Sequence, residues 1–312
     1  MREYKILTDS TTDLSPQLVA QTGVTVLPMT YTIGEKSYRN DPEETDLSSG
    51  DFYDMLRGGA MSTTSQINVE TFREVAGKMA RDGFDVLYVG FSSGLSGTFN
   101  SARIAFEDLS AEYPEHKFLA VDSLCASMGE GLLVYHAAQQ QKAGRSIEET
   151  ARWLEENKLH LAHWFTVDDL NHLKRGGRVS GAAAFFGTML NIKPVMHVDD
   201  EGHLIPLEKV RGRKKSLNAL VDHMEKSAVQ PIDQQMVFIT HGDCLEDAEY
   251  VADLVRERFG VEGSAIRFGL FAVKNVGRGA IAEMVEERQR GGAFTDLYDF
   301  VERTVALSVN KK

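Results

Sequence analysis

Cysteine is nearly absent. Cys125 and Cys244 are the only two, far apart and without metal-ligand spacing, which excludes a disulfide framework and points to a reduced, intracellular protein. Proline is scarce too, seven residues against 27 glycines, so tight turns outnumber stiff linkers. No stretch reaches the roughly 18 apolar residues of a membrane-spanning helix. The opening MREYKILTDSTTDL has no apolar run of the signal-peptide kind. A soluble, cytoplasmic protein is the expectation. Positive charge is also in deficit: 34 Lys and Arg face 46 Asp and Glu, a formal net charge of -12. An acidic chain is a poor electrostatic match for nucleic acid or an anionic bilayer, so only local basic patches remain to be weighed. The nine histidines show no H-E-x-x-H or comparable spacing; His160 and His163, three apart, read as structural, and no metal site is expected.

What is present is enough chain for two domains, 312 residues, and a strong α/β rhythm. Residues 4–8 form an apolar run ending in the polar cluster Asp9-Ser10-Thr11-Thr12-Asp13, as a strand running into a capped helix over 15–22 does. Residues 24–33 and 36–38 read as extended, 51–57 and 69–81 as helical. DVLYVG (85–90) is a buried strand opening into a loop over 91–98. The helix that follows puts Phe99, Ala102, Phe106 and Leu109 on one face. Residues 118–122 form another strand, followed by a helix over 131–142. Strand, polar or Gly-rich turn, helix, strand is the pattern of a parallel sheet, and ligands of such sheets sit beyond the carboxyl ends of the strands.

A helix over 146–157 closes this part, and the pattern then changes. A strand over 164–167, a helix over 168–174 and a small apolar helix over 182–190 lead to a hairpin, 192–198 and 204–210, turning at Gly202. A helix over 216–228, a strand over 236–240, a helix over 245–259 and a strand over 264–273 follow. The expected fold class is α/β: a parallel-sheet amino-terminal domain (1–158) and a mixed α+β carboxy-terminal domain (159–312), ending in a charged helical tail over 283–312.

Two readings compete for the loop after the third strand. Gly90-Phe91-Ser92-Ser93-Gly94 is a G-x-S-x-G string, and Asp122 and His241 each follow a strand, so a Ser-dependent acyl-ester hydrolase using Ser92 is conceivable on paper. Against it, Leu95-Ser96-Gly97-Thr98 separates the string from its helix, and no HGGG-like oxyanion segment occurs. The other reading is an anion site. Ser92, Ser93, Ser96 and Thr98, interleaved with Gly94 and Gly97, offer hydroxyls and approachable N–H groups ahead of a helix, where free amides and the helix dipole favour negative charge. Thr63-Thr64-Ser65-Gln66 adds further hydroxyls. A neutral donor cluster without Lys or Arg suits a carboxylate better than a triphosphate. The basic strings KVRGRKK (209–215) and LKRGGR (173–178) are solvated surface by default, or docking patches for an acidic or phosphate-bearing partner. GAAAFFGTML (181–190) is a buried helix by default, or a lid over an apolar tunnel that also touches a membrane when open.

Taken in order, several strings resemble the DegV family, the fatty-acid-binding subunits that serve a bacterial fatty acid kinase. They are TDSTTDL (8–14), TTSQ (63–66), SSGLSGTFNSA (92–102), VDSLCASMGEGLL (121–133), VDDLNHLKRGGRVS (167–180), NIKPV (191–195) and KVRGRKK (209–215). The resemblance spans residues 4 to 282 and implies a two-domain, DegV-like (EDD) fold enclosing one long-chain fatty acid. It implies that Thr64 and Ser96 hold the carboxylate, with Ser92, Ser93 and Gly97 beside them. It further implies that a separate ATP-dependent kinase converts the carboxylate to an acyl phosphate, engaged through Arg178 and Arg211. The family's G-x-H-x-G-P-G string reads Val273-Lys274-Asn275-Val276-Gly277-Arg278-Gly279 here; Asn275 stands where the family has histidine, and can donate a hydrogen bond but carry no proton. Ile67 follows TTSQ where proline is usual. The expectation is a monomeric, non-enzymatic lipid carrier for phospholipid metabolism, without cofactor, metal or nucleic acid and with transient membrane contact. A DegV-like apolar-acid sensor with no kinase partner is the remaining alternative.

Overall fold

The computed structural model of the chain describes residues 2–168, 173, 176–179, 191–261 and 290. Met1–Ala265 is one compact unit and Ile266–Lys312 a second. Strand β1 (Tyr4–Asp9) leads through a short 3-10 turn to helix α1 (Pro16–Thr22), which starts sharply because Ser15 Oγ accepts the Leu18 N–H and Pro16 occupies the first turn. Strand β2 (Thr25–Leu27) follows, then β3 (Met29–Ile33), β4 (Lys36–Asn40), α2 (Ser49–Arg57) and β5 (Ser62–Ser65). Helix α3 (Val69–Arg81), strand β6 (Asp85–Gly90), helix α4 (Thr98–Glu112), strand β7 (Phe118–Asp122) and helix α5 (Met128–Lys142) complete a βα series. Helix α6 (Ile147–Asn157) opens with a capping box in which Ser146 and Glu149 each satisfy the other's backbone N–H.

Strands β2, β1, β6 and β7 form a four-stranded parallel sheet in that order. Side chains alternate across it. Ile6, Leu87, Val89 and Val121 join Leu18, Leu133, Val134 and Leu154 on one face; Leu7, Val86, Tyr88 and Phe118 join Phe72, Ala102, Phe106 and Leu109 on the other. Both faces are covered by helices, so all six residues of β6 are buried.

A three-stranded antiparallel sheet, β4-β3-β5, adjoins this core through Met29, which packs in the cluster of Leu7 and Leu27. It is tied to the end of β1 by Ser10, whose Oγ accepts the Met29 N–H at 2.9 Å. Beyond α6, β8 (Trp164–Thr166), β9 (Ile192–Val198) and β10 (Leu204–Arg211) make a second three-stranded antiparallel sheet, flanked by α7 (Arg213–Ser227) and α8 (Leu245–Phe259). Val221, Ile232, Val255 and Val261 form a small core there.

Residues 236–240, expected as a strand, pair with no strand among the described residues. Val237 packs into the Val221–Val255 core and the Phe238 ring meets Tyr135 edge-on at 5.8 Å. The expected helices over 168–174 and 182–190, the strand over 264–273 and the tail over 283–312 lie outside the described residues, apart from Asp168, Leu173 and Arg290. No described helix is long and apolar enough to cross a membrane.

Candidate functional site

The loop between β6 and α4 rises from the carboxyl end of the parallel sheet and is held from three sides. From β1, Asp9 Oδ2 accepts the Phe91 N–H at 3.2 Å. From β7, Asp122 Oδ1 accepts the Ser93 N–H at 3.2 Å and the Leu124 N–H at 3.1 Å. From the β9–β10 turn, the Gly202 carbonyl accepts the Ser92 hydroxyl at 2.8 Å. Gly202 has φ +77, and a Cβ there would lie 2.0 Å from Ser92 Oγ, so the turn needs glycine for its backbone conformation and for the close approach alike.

Ser92 is fully buried, and its Oγ also accepts the Gly94 N–H at 3.1 Å. A hydroxyl has one proton, and this one goes to a carbonyl. Asp122 is taken up by loop amides, and His241 Nδ1 accepts the Cys244 N–H at 3.2 Å. The three residues of the paper triad are thus joined to other partners, and Ser92 acts as a buried brace for the loop.

Ser96 is half-buried at the amino end of α4. Its Oγ lies 2.9 Å from Thr98 Oγ1 and accepts the Thr98 N–H at 3.2 Å, while Thr98 Oγ1 accepts the Ile67 N–H at 3.3 Å. This contact joins the segment after β5 to the loop. Gly97, at the cap of α4, brings no side chain; a Cβ there would fall 2.2 Å from Gln66 Oε1, so the Gln66 amide lies across the loop only because the residue is glycine. Thr64 sits on β5 opposite Tyr31 and is exposed, as are Ser93 and Gly97. The structure therefore joins TTSQ and the SSGLSGT loop through Gln66, Ile67 and Thr98. Asn275 lies outside the described residues.

Arg178 and Arg211 are both exposed. Arg178 Nε donates to the Leu95 carbonyl at 3.4 Å, next to Ser96, and Arg211 ends β10 opposite Ile192. Between the loop and the second antiparallel sheet, Leu95, Met196 and Leu204 are buried, with Phe91, Ala126, Phe165, Val167 and Val198 packed against them. An apolar cluster thus adjoins the hydroxyl-bearing loop.

Sequence reasoning missed the carboxylates under the loop. Asp9 and Glu130 are fully buried; Asp9 also accepts the Tyr88 hydroxyl at 2.7 Å and the Thr11 N–H at 3.0 Å. Burial, then the neighbouring Asp9 charge, pushes the Glu130 carboxyl well above its ordinary value. The only sequence signal was Asp9 standing at the carboxyl end of a strand. His163 packs on Gly129, and burial lowers its imidazole to about 4, so it is neutral. Among the described residues no group of three or more His, Cys, Asp or Glu could hold a metal ion.

Comparison with known proteins agrees with this geometry. The profile described as "Uncharacterised protein, DegV family" matches residues 3–288. A DegV domain-containing protein of Clostridium perfringens is 43% identical over 283 residues, 90% of this chain and 97% of that protein. A DegV fatty acid binding protein from Bacillus subtilis superposes with a TM-score of 0.73 at 28% identity, covering 85% of this chain and 93% of the other. A DegV lipid binding protein from Thermotoga maritima gives 0.72 at 29% identity, covering 85% and 90%. The parallel sheet, its loops and these likenesses agree: the chain belongs to the DegV family.

Proposed function

We propose that this protein binds a long-chain fatty acid, holds its carboxylate with the Thr64 and Ser96 hydroxyls, and presents that head group to a separate ATP-dependent kinase. The observation that carries the reading is the union of the two hydroxyl-bearing segments at the amino end of α4, beside an apolar cluster. It draws support from the solved relatives of Bacillus subtilis and Thermotoga maritima, named for fatty acid and lipid binding. Each buried CH₂ is worth about 0.8 kcal/mol, so a tail supplies most of the affinity while the hydroxyls supply orientation.

The protein itself is a carrier and not an enzyme in this reading, and needs no cofactor. The kinase transfers the γ-phosphoryl group of ATP to the carboxylate, giving an acyl phosphate and ADP. Arg178 and Arg211 dock that partner, the former beside the loop it must reach. Ser92, Ser93 and Gly97 shape the loop around the head group. The amino-terminal domain (1–158) supplies the carboxylate donors and the carboxy-terminal domain (159–312) the docking surface, in a cytoplasmic monomer that touches the membrane transiently to load. One feature favours a second reading, a sensor without a kinase: Asn275 cannot carry the proton a histidine could.

Mass spectrometry of an organic extract, set against the native mass of the purified protein, tests the binding. A near-stoichiometric fatty acid is the expected result; protein that is empty and takes up none when offered oleate overturns it.

A further inference from the structure

A proton count at the base of the loop leads beyond the head group. Thr11 Oγ1 lies 2.5 Å from Asp9 Oδ1 and 2.7 Å from Glu130 Oε2. Two oxygen–oxygen contacts at hydrogen-bonding distance need two protons, and a threonine hydroxyl has one. Thr8 does not supply the other, because its hydroxyl donates to the Val89 carbonyl at 2.8 Å and stands 3.4 Å from Glu130 Oε1. The second proton therefore belongs to a carboxyl group.

Which carboxyl holds it follows from the partners. Asp9 faces donors on both oxygens: the Tyr88 hydroxyl and Phe91 N–H on Oδ2, the Thr11 N–H on Oδ1. Such an array favours the ionised form. Among the described residues, Glu130 has hydrogen bonds with the Thr8 and Thr11 hydroxyls alone, at full burial. The chain of bonds then runs from the Glu130 acid proton to Thr11 Oγ1, and from the Thr11 proton to the Asp9 carboxylate.

We propose that Asp9 and Glu130 share a single proton through the Thr11 hydroxyl, and that this arrangement positions the β6–α4 loop by keeping Asp9 ionised to grip the Phe91 N–H. Glu130, Thr11 and Asp9 are positioning residues here. The last step, from loop to ligand, rests on the head-group reading above; the shared proton does not.

Other titratable groups surround the pair. Asp13 follows the 3-10 turn and accepts the Ser127 hydroxyl, with Tyr53 of α2 nearby; burial lifts the Asp13 carboxyl to about 6, and its charge adds to that of Asp9 in raising Glu130. Tyr88 of β6, Asp122 at the end of β7 and Cys125 beyond it face the pair. Lys158, the neighbouring cation, donates to the Asp122 carbonyl and pairs with Glu155. His163, on Gly129, is kept neutral by burial.

The sign of the pH dependence follows. An unfolded chain releases the Glu130 proton near 4.5, whereas the folded chain keeps it to a higher pH. Above 4.5 the group therefore costs stability, increasingly as pH rises. Glu130→Gln has no proton to release. Its folding equilibrium constant should gain on wild type by up to about tenfold per pH unit above that point.

The full-length chain serves for the test. Infrared difference spectra at neutral pH, wild type minus Glu130→Gln, should show the carbonyl band of a protonated carboxylic acid, shifted in Thr11→Val. Urea unfolding across pH should show the growing advantage of Glu130→Gln. Titration of delipidated protein with oleate should show Asp9→Asn and Glu130→Ala weakened about tenfold or more, the loss expected for a hydrogen bond to a charged group. Glu130→Gln should restore most of the Glu130→Ala loss. Should Asp9→Asn not fold, Thr11→Val replaces it, with weakening expected again.

Absence of the band, or a pH-independent difference in urea, overturns the shared proton whatever oleate does. Oleate binding by the folded variants equal to wild type overturns the positioning role while the proton stands. A wild-type protein that binds no oleate removes the positioning role together with the head-group reading, and the infrared and urea results still decide the proton.

Discussion

Ser96 and Thr64, the two hydroxyls assigned to one carboxylate, stand on elements of different kinds. Ser96 belongs to a loop braced by Asp9, Asp122 and the Gly202 carbonyl, above a strand buried along its whole length. Thr64 belongs to β5, in a sheet whose adjoining helix α2 buries none of its nine residues. The aromatic rings there, Tyr31 against Tyr38 at 5.4 Å and against Phe52 at 5.1 Å, pack mainly with one another. In the proposed reading one donor is fixed in advance, and the other is carried on a cover made by β4-β3-β5 and α2. A site that must admit an apolar chain and then close gains from that division, since low local stability is what lets a segment move.

Core substitutions on the two sides give the largest expected contrast. Phe72 is fully buried and meets Tyr88 edge-on at 4.9 Å; Phe72→Ala is expected to cost about 3–5 kcal/mol, as large-to-small changes in tight cores do. Phe52, half-buried against Tyr31 and Tyr53, is expected to cost about 1 kcal/mol on the same change. Urea unfolding of both variants measures the contrast, and equal losses would erase it.

The hydroxyls themselves sharpen it further. Ser96→Ala removes a donor that needs no reorganisation, and oleate affinity should fall about tenfold to a hundredfold, the range for a hydrogen bond to a charged group. Thr64→Ala removes one whose carrier must settle on binding, so part of its contribution is already spent on ordering, and about threefold is expected. Titration of delipidated protein reads both. A larger loss at Thr64 would reverse the assignment of fixed and mobile sides.

The same division explains what the sequence made legible. The parallel sheet was readable because both of its faces are buried: DVLYVG and FLAVD are continuous apolar runs, and the structure has strands over those residues, Asp85–Gly90 and Phe118–Asp122. Helix starts followed from side chains that cap, as at Ser15 and Ser146. Strand β5 was missed because STTS is polar, and its pairing with β3 depends on a partner thirty residues earlier. Helix α5 starts at Met128 and not at 131, because Gly129 makes its first turn look like loop. The site was half legible. Hydroxyls ahead of a helix announce an anion site through local chemistry, whereas Asp9 and Glu130 meet only once β1 and α5 are packed, which no spacing encodes.

The smallest effect tests whether the cover is clasped. Arg57 ends α2 and pairs with Asp243 in the loop before α8, its Nη2 lying 2.7 Å from Oδ2 and 3.3 Å from the Asp243 carbonyl. Tyr53, one turn earlier, lies so close to Gly242 that a Cβ there would fall 2.8 Å from its hydroxyl oxygen. Surface ion pairs add little to global stability, so Arg57→Ala should leave the melting temperature essentially unchanged. If the pair is instead a local clasp, amide exchange over Ser49–Arg57 should quicken while exchange in β6 stays the same, because opening α2 does not disturb the parallel sheet. Bound oleate should also leave faster at an almost unaltered equilibrium affinity, since loading and release cross the same barrier. Unchanged exchange in α2 would mean that the aromatic packing of Tyr31 and Phe52 holds the cover by itself, and the distinction between the two donors would then rest on the loop alone.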